Sequence, residues 1–229
     1  MYAERRSRLA PLTVWTRTVE VAGSERVLPD GCMDLIWSGE QLIVAGPDTL
    51  AHAVENTSGA RYAAVRCVPG IGPALFGLPA DTLRDRRVPL ADVWGERAVR
   101  VLTERIAGAA DPAAFLERLA AERLRDHDAD AARFADAVVG ELRAGADIAA
   151  IAAEVNLSER QLHRRSLTAF GYGPKTLGRV LRLNRALDLA RGGLPAARVA
   201  ADAGYADQAH FARDVKALAG VPLRTLLSG

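Results

Sequence analysis

Residues 151–156, Ile-Ala-Ala-Glu-Val-Asn, return at 199–204 as Val-Ala-Ala-Asp-Ala-Gly, and this repetition constrains the fold more than any other feature. Further along, Leu162 and Arg164 correspond to Phe211 and Arg213, and Gly171 corresponds to Gly220. The offset is about 49 residues, with one extra residue in the second turn. A period on that scale points to one supersecondary unit used twice.

Each copy meets the physical requirements of a helix-turn-helix. The first helix must cross the second closely, so a small residue is needed at the crossing: Ala152 and Ala200. Four residues later the chain must turn through a left-handed conformation, which glycine adopts freely and asparagine tolerates; Gly204 and Asn156 stand there. Ser158 and Asp207 are suited to cap the second helix of each pair. Leu162 and Phe211 face inward, which leaves Arg160, His163, Arg164 and Gln208, His210, Arg213 to project outward. Arginine can donate twice to guanine and glutamine can pair with adenine, so these types suit base readout. Between the copies, Pro174 opens a helical segment through Leu177, Val180, Leu181, Leu183, Leu187 and Leu189 to Gly192-Gly193. Its roughly 18 residues make a rod of about 27 Å, against the 34 Å or so between successive major-groove faces.

Charge follows the same division. The whole chain of 229 residues carries a net +2, yet residues 130–229 hold 14 basic and 10 acidic side chains. Between Ser158 and Arg191 the basic residues Arg160, Arg164, Arg165, Lys175, Arg179, Arg182, Arg185 and Arg191 face only Glu159 and Asp188. A solvated helix face could look like this, but so does a footprint for phosphates.

The first 92 residues have a different texture. Residues 13–21, 33–37, 41–44 and 62–68 read as short strands, punctuated by Pro29-Asp30-Gly31, Ser38-Gly39, Gly46-Pro47-Asp48 and Pro69-Gly70. Such spacing predicts a small barrel or sandwich. From Leu90 the chain turns helical. Asp111-Pro112 reads as a helix start, followed by the apolar stripe Phe115, Leu116, Leu119, Leu124. Residues 125–130 read as a linker. The expected class is therefore α+β, with a β-rich domain over 1–92, a helical linker region over 93–129 and an all-α domain over 130–229.

Several chemistries are disfavoured. His52 is the only histidine in the β-rich half, and two cysteines cannot supply a four-cysteine zinc site. No phosphate-cradling glycine loop or serine-centred hydrolase motif is present, so neither catalysis nor a cofactor is expected. Cys32 and Cys67 read more readily as small buried hydrophobes than as a redox pair. No run approaches a membrane span, and residues 1–6 lead into no secretory core, so a cytoplasmic setting is expected.

Gly171-Tyr172-Gly173-Pro174, the stretch 182–190, Ala200-Asp202-Ala203-Gly204-Tyr205, His210-Phe211-Ala212-Arg213 and Gly220-Val221-Pro222 together resemble the AraC/XylS family of bacterial transcription regulators. The likeness runs from about Asp130 to Ser228. It implies base contacts from Arg160, His163 and Arg164 in one groove and from Gln208, Ala209, His210 and Arg213 in the next. Ser158, Arg165, Lys175 and Arg182 would then hold the phosphate backbone. Ser166 and Val215 stand where the family usually has an aromatic core residue, which implies weaker anchoring of those helices. Residues 28–35, Gly46-Pro47, Pro69-Gly70, 76–79 and 85–90 resemble an N-terminal, cupin-like domain of uncharacterised role found in some members.

Double-stranded DNA is the expected partner, with RNA polymerase added if the chain activates transcription, and no membrane. Trp15, Trp37, Tyr62 and Arg66 are candidates for a small-molecule pocket. A domain serving only self-association is the standing alternative.

Overall fold

The computed structural model describes residues 1–125 and 128–227. The described residues form eight strands: β1 (Tyr2–Arg6), β2 (Leu12–Thr18), β3 (Gly23–Val27), β4 (Met33–Trp37), β5 (Leu42–Ala45), β6 (His52–Asn56), β7 (Arg61–Cys67) and β8 (Arg87–Pro89). Six form an antiparallel sheet in the order β1-β2-β7-β4-β5-β8, while β3 and β6 pair as a separate ribbon. The four strands legible in the sequence are the apolar ones, β2, β4, β5 and β7. Their alternation buries Leu12, Val14, Met33, Leu35, Trp37, Leu42, Val44, Val65 and Cys67 on one sheet face. The other four strands escape sequence reading because they are short and carry few apolar residues. β1, for instance, is exposed along its whole length and owes its conformation to its pairing with β2.

Helix α1 (Gly72–Phe76) lies between β7 and β8, and α2 (Ala91–Trp94), α3 (Glu96–Ala107) and α4 (Pro112–Arg123) follow β8. Asp111 caps α4 as expected, its carboxylate accepting from Ala114 N. Leu116, Ala120 and Leu124 join the sheet residues in one core, as do Val99 and Ile106 of α3. The segment expected as a helical linker region is therefore packed onto the β-domain, because its apolar stripes have the sheet to cover.

Edge strand β1 is tied to α4 by a bidentate pair, Arg5 Nη1 and Nη2 donating to Glu117 at 3.0 and 2.6 Å. These bonds, against an opposing effect of burial, pull the Glu117 carboxyl down to about 2. A depressed folded-state value means the stabilisation is complete above the ordinary carboxylate range and disappears as pH falls toward that value. Glu117→Gln is thus expected to flatten the loss of stability between about pH 5 and pH 2. Urea midpoints across that range provide the check; parallel profiles for the two proteins would contradict the assignment.

The remaining helices are α5 (Ala129–Ala144), α6 (Ile148–Glu154), α7 (Glu159–Phe170), α8 (Pro174–Arg191), α9 (Ala196–Asp202), α10 (Gln208–Ala219) and α11 (Leu223–Leu227). Of the expected linker, Asp126 and His127 lie outside the described residues; Asp128 already caps α5, accepting from Asp130 N. Two cores share α8. Its first half gives Leu177 and Leu181 to a cluster with α5, α6 and α7; its second half gives Leu183, Ala186 and Leu187 to a cluster with α9 and α10.

Candidate nucleic-acid interface

In the first unit, α6 begins at a cap from Asp147 and presents buried Ala152 at the crossing. Asn156 turns the chain with φ 54°, one of two non-glycine residues with positive φ among the described residues. Ser158 then opens α7 with a capping box. Its hydroxyl accepts from Gln161 N, and Gln161 Oε1 accepts from Ser158 N at 2.9 Å. Local chemistry alone specifies this unit. Leu162 and Phe170 anchor α7 in the core.

The second unit repeats the design. Ala200 is buried, Gly204 turns with φ 82°, and Asp207 caps α10 by accepting from His210 N at 2.6 Å. Phe211, Val215 and Leu218 anchor it. Ser166 and Val215 are both fully buried, although the Ser166 hydroxyl has no hydrogen-bond partner among the described residues.

The outward residues then divide. Arg160, Arg164, Gln208, Ala209 and Arg213 are exposed, and none makes a side-chain hydrogen bond or ion pair among the described residues. Arg160 and Arg164 lie four apart on α7, as do Ala209 and Arg213 on α10, so each pair shares a helix face. The two histidines are held by neighbours, His163 while exposed and His210 while half-buried. The His163 ring lies against Gly173, where a Cβ would come within 2.5 Å of its Nδ1. His210 packs edge-on to Tyr205 at 5.2 Å and accepts from Ala206 N.

Of the expected phosphate contacts, Lys175 is exposed at the start of α8, and Ser158 is occupied in its cap. Arg165 is exposed but engaged: its guanidinium sits over the Phe134 ring at 4.2 Å and donates to Asp130 O. Arg182 donates to Gly204 O and stacks over Tyr205 at 5.1 Å, bracing the second turn from α8. Both are positioned by tertiary packing that spacing alone does not reveal. Beside them is a network that sequence reasoning missed. The buried Asp214 carboxylate accepts from Arg179 Nε and Nη2 at 3.0 and 2.6 Å and from the Tyr205 hydroxyl at 3.3 Å. Arg179, assigned above to the basic stripe, is thereby neutralised.

The four candidate pocket residues do not converge. Side chains alternate across a strand, and the registers place Trp15, Tyr62 and Arg66 on the outer sheet face but Trp37 in the core on the other. Trp15 Nε1 and Arg66 Nε each donate to Asp34 at 3.0 Å. Arg66 alone of the four lines the cleft of about 1350 Å³ between the sheet and the helical domain, with Glu4, Asp30 and Cys32 opposite Lys175 and Arg185 of α8. Burial and the Asp30 and Asp34 carboxylates push the Cys32 thiol well up, and burial does the same to Cys67. Both thiols are thus kept protonated, the reverse of what a reactive cysteine needs. Among the described residues no three metal-ligating side chains gather, and no helix is long and apolar enough to cross a membrane.

Residues 151–228 match the model of a helix-turn-helix domain, and residues 9–89 match a domain of unknown function, DUF6597. The helix-turn-helix match covers α7 to α11, the part of the chain that carries both capped helices. Solved structures of ToxT from Vibrio cholerae share the fold. One is 13% identical over 95% of this chain and 97% of that one, with a TM-score of 0.50. An apo ToxT variant is 12% identical over 97% and 99%, with a TM-score of 0.51. No curated protein matches the chain. The two matched segments thus correspond to the two textures of the sequence.

Proposed function

We propose that the chain is a sequence-specific DNA-binding regulator of transcription whose α7 and α10 enter two successive major grooves. The observation that carries this reading is the pair of capped helices, each presenting arginine or glutamine side chains with no partner among the described residues. Helix α8, with 18 residues, spans about 27 Å, so modest bending would bring two grooves about 34 Å apart onto both helices. One chain then reads what many regulators need a dimer to read. Arg160, Arg164, Gln208 and Arg213 take the base edges, and Lys175 the backbone. In a bacterial cytoplasm such a regulator meets genomic DNA directly, and as an activator it would also meet RNA polymerase.

The cleft between sheet and α8 is the seat proposed for a small-molecule effector, since a ligand there touches both domains at once. A ligand-independent, self-associating β-domain is favoured by one observation: β1 is a fully exposed edge strand, free to pair with another.

Selection from a random duplex library, followed by binding at several salt concentrations, tests the reading. Enrichment of a bipartite motif with half-sites about one helical turn apart is expected. Failure to enrich any sequence over bulk DNA, with and without cell metabolites, would overturn it.

A further inference from the structure

The two recognition helices are joined a second time, away from α8, by the β-domain. The connection between β5 and β6, residues 46–51, lies between their C-terminal ends. At one end Pro47 packs on Gly171, the C-cap of α7, so closely that a Cβ there would come within 2.5 Å of Pro47 Cγ and 3.3 Å of Ala80 O. Arg84 adds a bond from Nη1 to Gly171 O at 3.2 Å. At the other end, Ala51 N donates to Leu218 O at 2.7 Å, in the last turn of α10. Four residue steps separate Pro47 from Ala51, so the two attachment points are at most about 14 Å apart along the chain.

The connection is also stiff. Gly46 lies with its backbone against that of Leu83, and its N–H donates to Arg86 O at 2.9 Å. Asp85, held at φ 58°, accepts from Thr49 N at 2.7 Å and from its hydroxyl at 2.9 Å, while Asp85 N donates to Pro47 O. The buried Asp48 carboxylate is gripped by both terminal nitrogens of Arg87.

Helix α8 alone is one strut, and each unit packs on it through its own core. One strut leaves rotation about the strut free to vary. A second, attached at the far ends of both recognition helices, removes that freedom. We infer that residues 46–51, braced by Asp85 and Arg87, act as a spacer that fixes the separation of α7 and α10 and so determines which half-site spacing the protein accepts. Specificity would then depend in part on a segment of the β-domain that touches no DNA. The inference rests on the reading that both helices contact bases.

The test uses the full chain with two glycines inserted between Thr49 and Leu50, where Leu50 is 56% exposed. The probes are duplexes carrying the two selected half-sites at spacings varied one base pair at a time, and a duplex with one half-site. The wild type should lose about tenfold or more in affinity when the spacing departs from its optimum by about two base pairs. The insertion should flatten that profile to within about threefold while leaving single half-site affinity within about threefold. An unchanged spacing profile overturns the inference. If the insertion costs single half-site binding, the Pro47→Ala, Arg84→Ala double variant is read by the same criterion. A wild type that binds two half-sites no better than one contradicts the proposed function itself.

Discussion

Arg164→Ala and Arg213→Ala are each expected to weaken binding to the selected site by about 1–3 kcal/mol, roughly five- to 150-fold, with little change on random duplex. Both guanidinium groups stand on exposed faces of their recognition helices and have no partner among the described residues. Their removal leaves no cavity and no orphaned charge, so the folded protein should melt as the wild type does. Because the residues belong to different units with separate cores, the losses should add in the double variant. Lys175→Ala supplies the contrast. A cation at the exposed start of α8 that contacts phosphate should weaken all duplexes alike and lower the salt slope by about one. Equal losses on selected and random DNA for Arg164→Ala would remove it from the base-reading set.

Gly46→Ala is expected to destabilise the fold by about 3 kcal/mol or more. A Cβ at this position would lie 1.8 Å from Leu83 O and 2.5 Å from Leu83 C. Both obstructing atoms are backbone, so no rotamer change relieves the overlap. Nor can the strands part freely, since Gly46 N–Arg86 O and Asp85 N–Pro47 O bonds fasten them on either side. Gly23→Ala is the control: nothing lies within 4 Å of its Cβ, and its effect should stay within about 0.5 kcal/mol. Urea unfolding followed by circular dichroism measures both. A Gly46→Ala loss below about 1 kcal/mol would show that residues 46–51 yield where a stiff spacer must not.

The helix-turn-helix units were readable because their determinants are local. A cap lies three residues from the N–H it satisfies, and the left-handed turn needs Gly204 or Asn156 at one position whatever surrounds it. The apolar strands were readable for a similar reason, since alternation along β2 or β4 already states which face is buried. Strands such as β1 and β3 left no such trace, because exposed polar residues become a strand only when a neighbour supplies the ladder. Trp37 falls outside the cleft because strand parity, which residue type does not show, places it on the core face of the sheet. Arg165, Arg179 and Arg182 look alike in the basic stripe, yet Phe134, Asp214 and Tyr205 engage all three within the protein.

The sequence by itself determined the two repeated units, their caps, their turns and the helix between them, since each depends on residues within one or two helical turns of one another. Only the tertiary structure decided which cations remain free for DNA, which sheet face borders the cleft, and that residues 46–51 join the ends of α7 and α10. Those outcomes depend on contacts such as Pro47 with Gly171 and Ala51 with Leu218, between residues more than a hundred positions apart. Contacts at that distance are set by how whole surfaces pack, not by the residues on either side of them.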